Sequence, residues 1–445
     1  MATQKCPVEW SEWVAWLAAG LHGRCRWRLS ILLFGVLFAR GRRTVTSWLR
    51  AAGVGSDFRS YYYFISGIGR KTNIIASRLF LLLLTKLPSG PRLLLAIDDT
   101  PTKRYGPKVQ GAGIHHNPTP GPADAKFLYG HIWVTLAWIV RHPLWGTIGL
   151  PLLARLYVRQ KDISKIPEKL RWKFQTKLVQ AADLVAWAAE IAFSSGKRLW
   201  IVADGFYAKR PFLKPVLKLG VVVVSRLRKD ACLYTLPPKT KKGRRRGRGA
   251  PRKYGAKRIS LAKRAAAKRG WQTIECAQYG KTVIKKYKTF LAAYRPAFGA
   301  IRVVIVQEHT GPHYFFCTDT QAAVQEILQT FADRAAIEQD FHDLKEVWGA
   351  GQQQVRYLWA NIGAYHLNLW MHTLVELWAW RRWHSTLCDR GDSPWKDPAK
   401  RPSHADRRNA LRRNILRAEF SAVASCRRLP QKIRDFVKQL LGLAC

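Results

Sequence analysis

The sequence predicts a mixed α/β protein, and three patterns carry that expectation. Two continuous apolar runs, residues 93–97 and 199–203, each end at an aspartate, as strands buried on both faces do where they emerge at a sheet edge. Helical periodicity fills the first ninety residues and returns after residue 322. Residues 229–300 are strongly basic and strand-like, so a β-rich insertion interrupts the α/β core.

The chain has 445 residues, 48% of them hydrophobic, enough for a sizeable core. At roughly 100–200 residues per domain it accommodates two to four units. Residues 1–90 read as a helical region, with Trp10, Trp13 and Trp16 spaced to pack along one helix face. Residues 43–54 have the polar start, apolar period and glycine stop of a short helix. That helix fits half of a helix-turn-helix or an ordinary basic helix equally well. In residues 91–228 the first apolar run is expected to end as a strand at Asp98-Asp99-Thr100. Strand-like stretches follow at 127–140 and 146–158, then a helix at 174–193, the strand 199–203, a short helix and a strand at 221–224. Three strands, a helix, a strand, a helix and a strand is the order of a mixed α/β layer.

Within 229–300, residues 239–253 (KTKKGRRRGRGAPRK) form a block of like charge that repels itself until it meets an anion. Lys241, Lys242, Arg244, Arg245, Arg246 and Arg248 are its candidate phosphate contacts. Strand patterns resume at 282–294, 301–306 and 314–317, and one long helical region is expected from 322 past Lys345, within a segment 301–360. Residues 361–445 read as helical and basic, a possible dimerisation region.

Charge narrows the function. With 76 Lys and Arg against 28 Asp and Glu, the chain carries +48 and needs a polyanionic partner. No uninterrupted apolar run reaches the roughly 18 residues a membrane span needs, and the charge is spread instead of lining one amphipathic helix, so nucleic acid is expected over membrane. The start lacks a basic region followed by an apolar stretch, so secretion is not expected. Eight cysteines without Cys-x-x-Cys spacing read as reduced cytosolic thiols without zinc.

Asp98 and Asp204 each follow a buried strand immediately, and the carboxyl ends of neighbouring parallel strands are where ligands gather. Paired aspartates suit Mg²⁺, a hard cation that takes oxygen ligands, although aspartate after a strand also serves as a turn cap. A third acid strengthens the pair. Helical spacing places Phe331, Arg334, Glu338 and Lys345 within an arc of roughly 60°, beside a buried stripe of Ile337, Phe341, Leu344 and Trp348. Asp333, Asp340 and Asp343 are out of phase with that row. Arg334 and Glu338 alone would be an ordinary helix-surface ion pair, worth a few tenths of a kcal/mol. Asp99 competes with Asp98 as first ligand, since neighbouring strand residues face opposite ways. His115 and His116 read as loop histidines that contact phosphate or backbone, not as a metal pair.

The spacing Phe331-x2-Arg334-x3-Glu338-x6-Lys345 resembles the Tyr-x2-Arg-x3-Glu-x6-Lys signature of bacterial insertion-sequence DDE transposases, with Phe in place of Tyr. Ile97-Asp98-Asp99-Thr100 is similar to that family's Asp-x-Thr motif, and Val202-Ala203-Asp204-Gly205-Phe206-Tyr207 to its Asp-Gly-Phe motif. Ser225-Arg226-Leu227-Arg228 resembles the strand end that leads into the family's insertion, and the likeness spans roughly residues 93–356. It implies an RNase H-like catalytic core in two parts, 91–228 and 301–360, with a helical DNA-end-binding domain at 1–90. It implies two Mg²⁺ or Mn²⁺ ions held by Asp98, Asp204 and Glu338, with Arg334 and Lys345 gripping phosphates and Phe331 beside them. Trp271 is a candidate platform for an extruded terminal base. The implied activity is cut-and-paste transposition by a homodimer acting on terminal inverted repeats and target double-stranded DNA, in the bacterial cytoplasm at the nucleoid. A repurposed, catalytically inactive DNA-binding protein is the alternative.

Overall fold

The computed structural model describes residues 6–117, 125–238, 252–278, 280–388, 397, 400–424, 430–433, 435 and 437. Helices α1 (Val8–Ala18), α2 (Arg28–Phe38), α3 (Val45–Ala51), α4 (Phe58–Arg70) and α5 (Thr72–Lys86) open the chain. The expected short helix is α3: the Thr44 hydroxyl accepts from the Ser47 amide at 3.1 Å as its N-cap, and Gly53, at φ +68°, ends it. Trp10 and Trp13 pack into the core, but Trp16 is 43% exposed and ties α1 to α5 through the Arg78 carbonyl at 2.9 Å.

The sheet follows: β1 (Arg92–Lys103), β2 (Gly113–His116), β3 (Phe127–His142) and β4 (Gly146–Tyr157), then α6 (Lys177–Ser194), β5 (Arg198–Ala203), α7 (Arg210–Lys218) and β6 (Val222–Arg226). The strand β1 pairs antiparallel with β3 and parallel with β5, and β5 pairs parallel with β6. This is the mixed α/β core that the strand and helix order predicts. One expectation fails: β1 does not stop at Asp98. Its parallel partner ends at the Ile97–Ala203 pair, while β3 continues beside it from Asp98–Thr135 to Lys103–Gly130 and supplies backbone partners for the rest of the strand. Pro101 is tolerated because β1 has only one neighbour there. His115 and His116 likewise sit on a strand, β2, and not on a loop.

The strands β7 (Leu233–Tyr234), β8 (Arg258–Ile259), β9 (Gln272–Gln278), β10 (Lys281–Tyr294), β11 (Gly299–Glu308) and β12 (Gly311–Cys317) continue the same sheet, since β12 pairs with β6; the short helix α8 (Leu261–Ala266) lies among them. The long helical region expected after residue 322 is two helices, α9 (Val324–Asp333) and α10 (Ala335–Glu346), which break at Arg334.

Helices α11 (Leu358–Ala379), α12 (His384–Leu387) and α13 (His404–Ala424) complete the described fold. Nearly every residue of α11 is buried. It packs on α4, where Gly69 and Gly363 each lie against the other helix's backbone with no space for a Cβ. It also serves β4 at the irregularity where the register against β3 shifts between Leu136 and Ala137. Trp370 donates to the Leu152 carbonyl at 3.0 Å, Thr373 to Pro151 at 2.6 Å, and His366 accepts from the Ala154 amide at 3.1 Å, so polar side chains of α11 satisfy backbone groups of the irregular strand. Tyr365 stacks on Trp133 at 4.0 Å, which places α11 on the sheet face that carries Asp98 and Thr135.

Candidate active site

The site forms where the parallel pairing of β1 and β5 ends. Ile97 is paired with Ala203; beyond that pair Asp204 leaves the sheet, while Asp98 stays in β1 opposite Thr135 of β3. Asp204 is fixed through its backbone: its carbonyl accepts from the Ser225 hydroxyl at 3.0 Å and caps the short 3-10 turn Gly205–Tyr207. Gly205 lies 3.3 Å, by its would-be Cβ, from the Arg226 carbonyl, so a side chain there would crowd β6.

Helix α10 brings the third acid. Arg334, at the break between α9 and α10, donates to Asp98 Oδ2 at 2.6 Å and to Glu338 Oε1 at 2.5 Å. Its guanidinium therefore bridges two carboxylates, and Asp204 adds to the negative potential that raises its pKa against the cost of burial. The i, i+4 ion pair expected of an ordinary helix surface is present, but it is tied across the fold to β1. Burial pushes the Asp98 carboxyl up to about 7; Arg334 and the Asp99 amide, donating at 2.8 Å, pull it down, and Asp99 and Asp204 push it up.

Asp99 faces the other way. Its carboxylate takes Lys177 of α6 at 2.6 Å and the Tyr207 hydroxyl at 3.2 Å. The alternation along β1 thus puts Asp98 on the face of Arg334 and Glu338, and Asp99 on the face of α6. The other acids of the helix also point elsewhere. Asp333 pairs with Arg141 at 2.9 Å and Thr147 at 2.7 Å, while Asp340 and Asp343 are buried.

Phe331 packs on Phe315, ring centroids 4.8 Å apart, with the Arg334 guanidinium 5.6 Å from its own centroid, so it supports Arg334 by packing. Lys345 is half-buried, and burial holds its ammonium below the ordinary lysine range. It has no ion-pair partner among the described residues. Trp271 donates to the Ala267 carbonyl at 3.2 Å and lies 4.6 Å from the Lys288 ammonium, tied into the insertion's own packing. Lys241, Lys242, Arg244, Arg245, Arg246 and Arg248 lie outside the described residues. His115 is buried, and burial, with Arg159 and Lys177 nearby, holds its imidazole down at about 4, so it stays neutral.

A polar network that sequence spacing does not reveal anchors α10. Trp348 donates to His404 Nε2 at 2.7 Å, His404 Nδ1 faces Glu376 at 2.5 Å, and Arg407 takes the other Glu376 oxygen at 2.5 Å. His372 stacks on His404 at 3.9 Å and lies 3.3 Å from Asp340. Among the described residues His372, Glu376 and His404 are the one group close enough to share a metal. Arg407 and Trp348 already occupy Glu376 and His404, so the group reads as a clamp between α10, α11 and α13. Burial would raise the Glu376 carboxyl, but Arg407 and His404 hold it well below the usual carboxylate range.

No helix among the described residues is long and apolar enough to cross a membrane. A search of curated proteins finds no match. A family model described as DDE superfamily endonuclease matches residues 17–283, well over half of the chain. The match takes in both Asp98 and Asp204 and stops before α9 and α10, so Glu338 is brought to the site by the fold alone. The chain belongs to the DDE superfamily endonuclease family.

Proposed function

We propose that this endonuclease is a DNA transposase, which cuts the ends of its own mobile element and joins the freed 3′-hydroxyls to target DNA. The observation that carries the proposal is the Arg334 guanidinium, which bonds to both Asp98 and Glu338 within the negative potential of Asp204. Asp98 and Glu338 meet at this cation and Asp204 acts on it by charge; as hard oxygen donors the three suit divalent metal, which would draw them closer together than they lie around Arg334. Two Mg²⁺ or Mn²⁺ ions, when bound, supply the charge stabilisation for an in-line displacement at phosphorus.

In this reading Asp98 and Asp204 hold the metals from where the pairing of β1 and β5 ends, and Glu338 completes the set from α10. Arg334, displaced from the carboxylates, offers its fork to a phosphate, and Lys345 offers a point charge about two turns beyond Glu338 on the same helix face. In the first step a water oxygen bonds to the phosphorus at the element's end and the bond to the 3′-oxygen breaks, leaving a 3′-hydroxyl. In the second, that hydroxyl bonds to a target phosphorus, and the target's own 3′-oxygen leaves. The formal charge of +48 supports a double-stranded DNA partner, with the terminal inverted repeats and the target as its two substrates. Synapsis of two ends calls for a homodimer, and the setting we propose is a bacterial insertion sequence acting at the nucleoid.

Glu338→Gln tests the assignment. Cleavage of the element's end should be lost while its binding changes little. Equal loss of binding would make Glu338 a structural residue.

A further inference from the structure

Asp98 and Asp204 sit on backbones that diverge: the parallel pairing of β1 and β5 ends at Ile97–Ala203, and past it β1 continues beside β3. A hydrogen bond on the opposite face of β1 bridges that gap. Tyr207 closes the turn after Asp204, its amide donating to the Asp204 carbonyl at 3.0 Å, and its hydroxyl donates to Asp99 Oδ1 at 3.2 Å. The Asp99 amide donates in turn to Asp98 Oδ1 at 2.8 Å, so whatever fixes Asp99 also fixes the rotation of the Asp98 carboxylate. Both ends of the bridge are anchored. The Tyr207 ring is 1% exposed and meets Phe212 of α7 edge-on, centroids 5.7 Å apart. Lys177 of α6 holds Asp99 Oδ2 at 2.6 Å. The Asp204 carboxylate is not spent on capping its own turn, which leaves it for a ligand.

We propose that Tyr207 and Asp99 are positioning residues for divalent metal: their hydroxyl–carboxylate bond, behind β1, keeps the Asp204 turn beside Asp98, and neither side chain touches the metal or the DNA. The inference rests on the reading of Asp98, Asp204 and Glu338 as one metal-dependent nuclease centre. Two carboxylates that share a cation repel each other until it arrives, and the bond opposes their separation. Little reordering is then left when the carboxylates close on a metal. Partners of this kind orient ligating carboxylates, and losing one costs about 10- to 100-fold in metal affinity or activity. Lys177 balances the charge of Asp99, so a further carboxylate beside the pair adds little to their repulsion.

The test titrates Mn²⁺ into the full chain and reads free Mn²⁺ by electron paramagnetic resonance, with Asp204→Asn defining the binding that belongs to the site. Tyr207→Phe, which removes only the hydroxyl, should raise the half-saturating Mn²⁺ concentration about 10- to 100-fold, with thermal midpoint and DNA affinity close to those of the intact chain. Its loss of cleavage should be largest at low Mg²⁺ and shrink as Mg²⁺ rises. Asp99→Ala should behave alike, and adding Tyr207→Phe to it should cost nothing more, since both act through one bond. Asp99→Asn keeps an oxygen that accepts from Tyr207 and should lie nearer the intact chain. If Tyr207→Phe binds Mn²⁺ like the intact chain while Asp204→Asn does not, the positioning role is wrong and the nuclease reading stands. Asp99→Asn that loses Mn²⁺ as fully as Asp204→Asn would make Asp99 a ligand and overturn the proposal. Mn²⁺ binding that survives Asp204→Asn unchanged overturns the nuclease reading itself, and the proposal with it.

Discussion

Arg334 donates a hydrogen bond to Asp98 at 2.6 Å across 236 positions of sequence, which makes the break between α9 and α10 part of the site on β1. The same guanidinium holds Glu338 at 2.5 Å. Arg334 therefore holds these two carboxylates together.

Arg334→Lys keeps the charge but loses the two-pronged geometry. Cleavage should fall on the order of 10²-fold, the usual loss when one electrostatic stabiliser at a phosphoryl or acyl centre is removed, while DNA affinity stays close to that of the intact chain. Single-turnover cleavage and anisotropy titration on the same DNA separate the two. A parallel fall in both would make Arg334 a general DNA-binding residue.

Deleting residues 240–250 should lower DNA affinity and flatten its dependence on salt, by about 0.9 in log–log slope for each phosphate that is no longer neutralised. The measurement is the binding constant of the full chain and the deletion over a range of KCl concentrations. An unchanged slope would mean that the block does not touch DNA.

Glu376→Gln should destabilise the fold by about 3–5 kcal/mol, because it leaves Arg407, bonded to Glu376 at 2.5 Å, as a buried charge without its partner. Denaturant titration followed by tryptophan emission reads this directly. A loss under about 1 kcal/mol would mean that solvent reaches the network and screens it.

Stability should fall as pH drops from about 6.5 towards 4. Burial holds His366 and His404 down at about 4, with ordinary values of 6.5, so within that window the unfolded chain binds protons that the folded chain refuses. Each contributes up to about 1.4 kcal/mol per pH unit. Above 6.5 both states are neutral and the effect vanishes. Denaturation midpoints at pH 7.5 and 5 check the sign; a higher midpoint at pH 5 would contradict it.

Much of this was legible in the sequence where the signal is local. The apolar runs before Asp98 and Asp204 are strands, and the spacing of Arg334, Glu338 and Lys345 places them on one helical face because that spacing is set by backbone geometry alone. What pairing decides was not legible. The strand β1 outruns its apolar run because β3 extends beside it to Gly130. His115 and His116 became strand residues for the same reason, through β2 and β3. Asp98 and Asp99 are distinguished only by what packs on each face, Arg334 on one and Lys177 on the other. The His372, Glu376, His404 and Arg407 network draws on two helices joined by a long connection, so no motif spacing announces it.

The central claim, that Asp98, Asp204 and Glu338 form one metal-dependent nuclease centre, is tested most directly by cleavage of a labelled duplex carrying the element's own end, with Mg²⁺ or with EDTA, by the intact chain and by Asp204→Asn. The account predicts cutting at the element's end with Mg²⁺, none with EDTA, and none by the variant, whose binding to the duplex persists. Tight binding by the intact chain without cutting in Mg²⁺ or Mn²⁺ would contradict it and point to a repurposed DNA-binding protein.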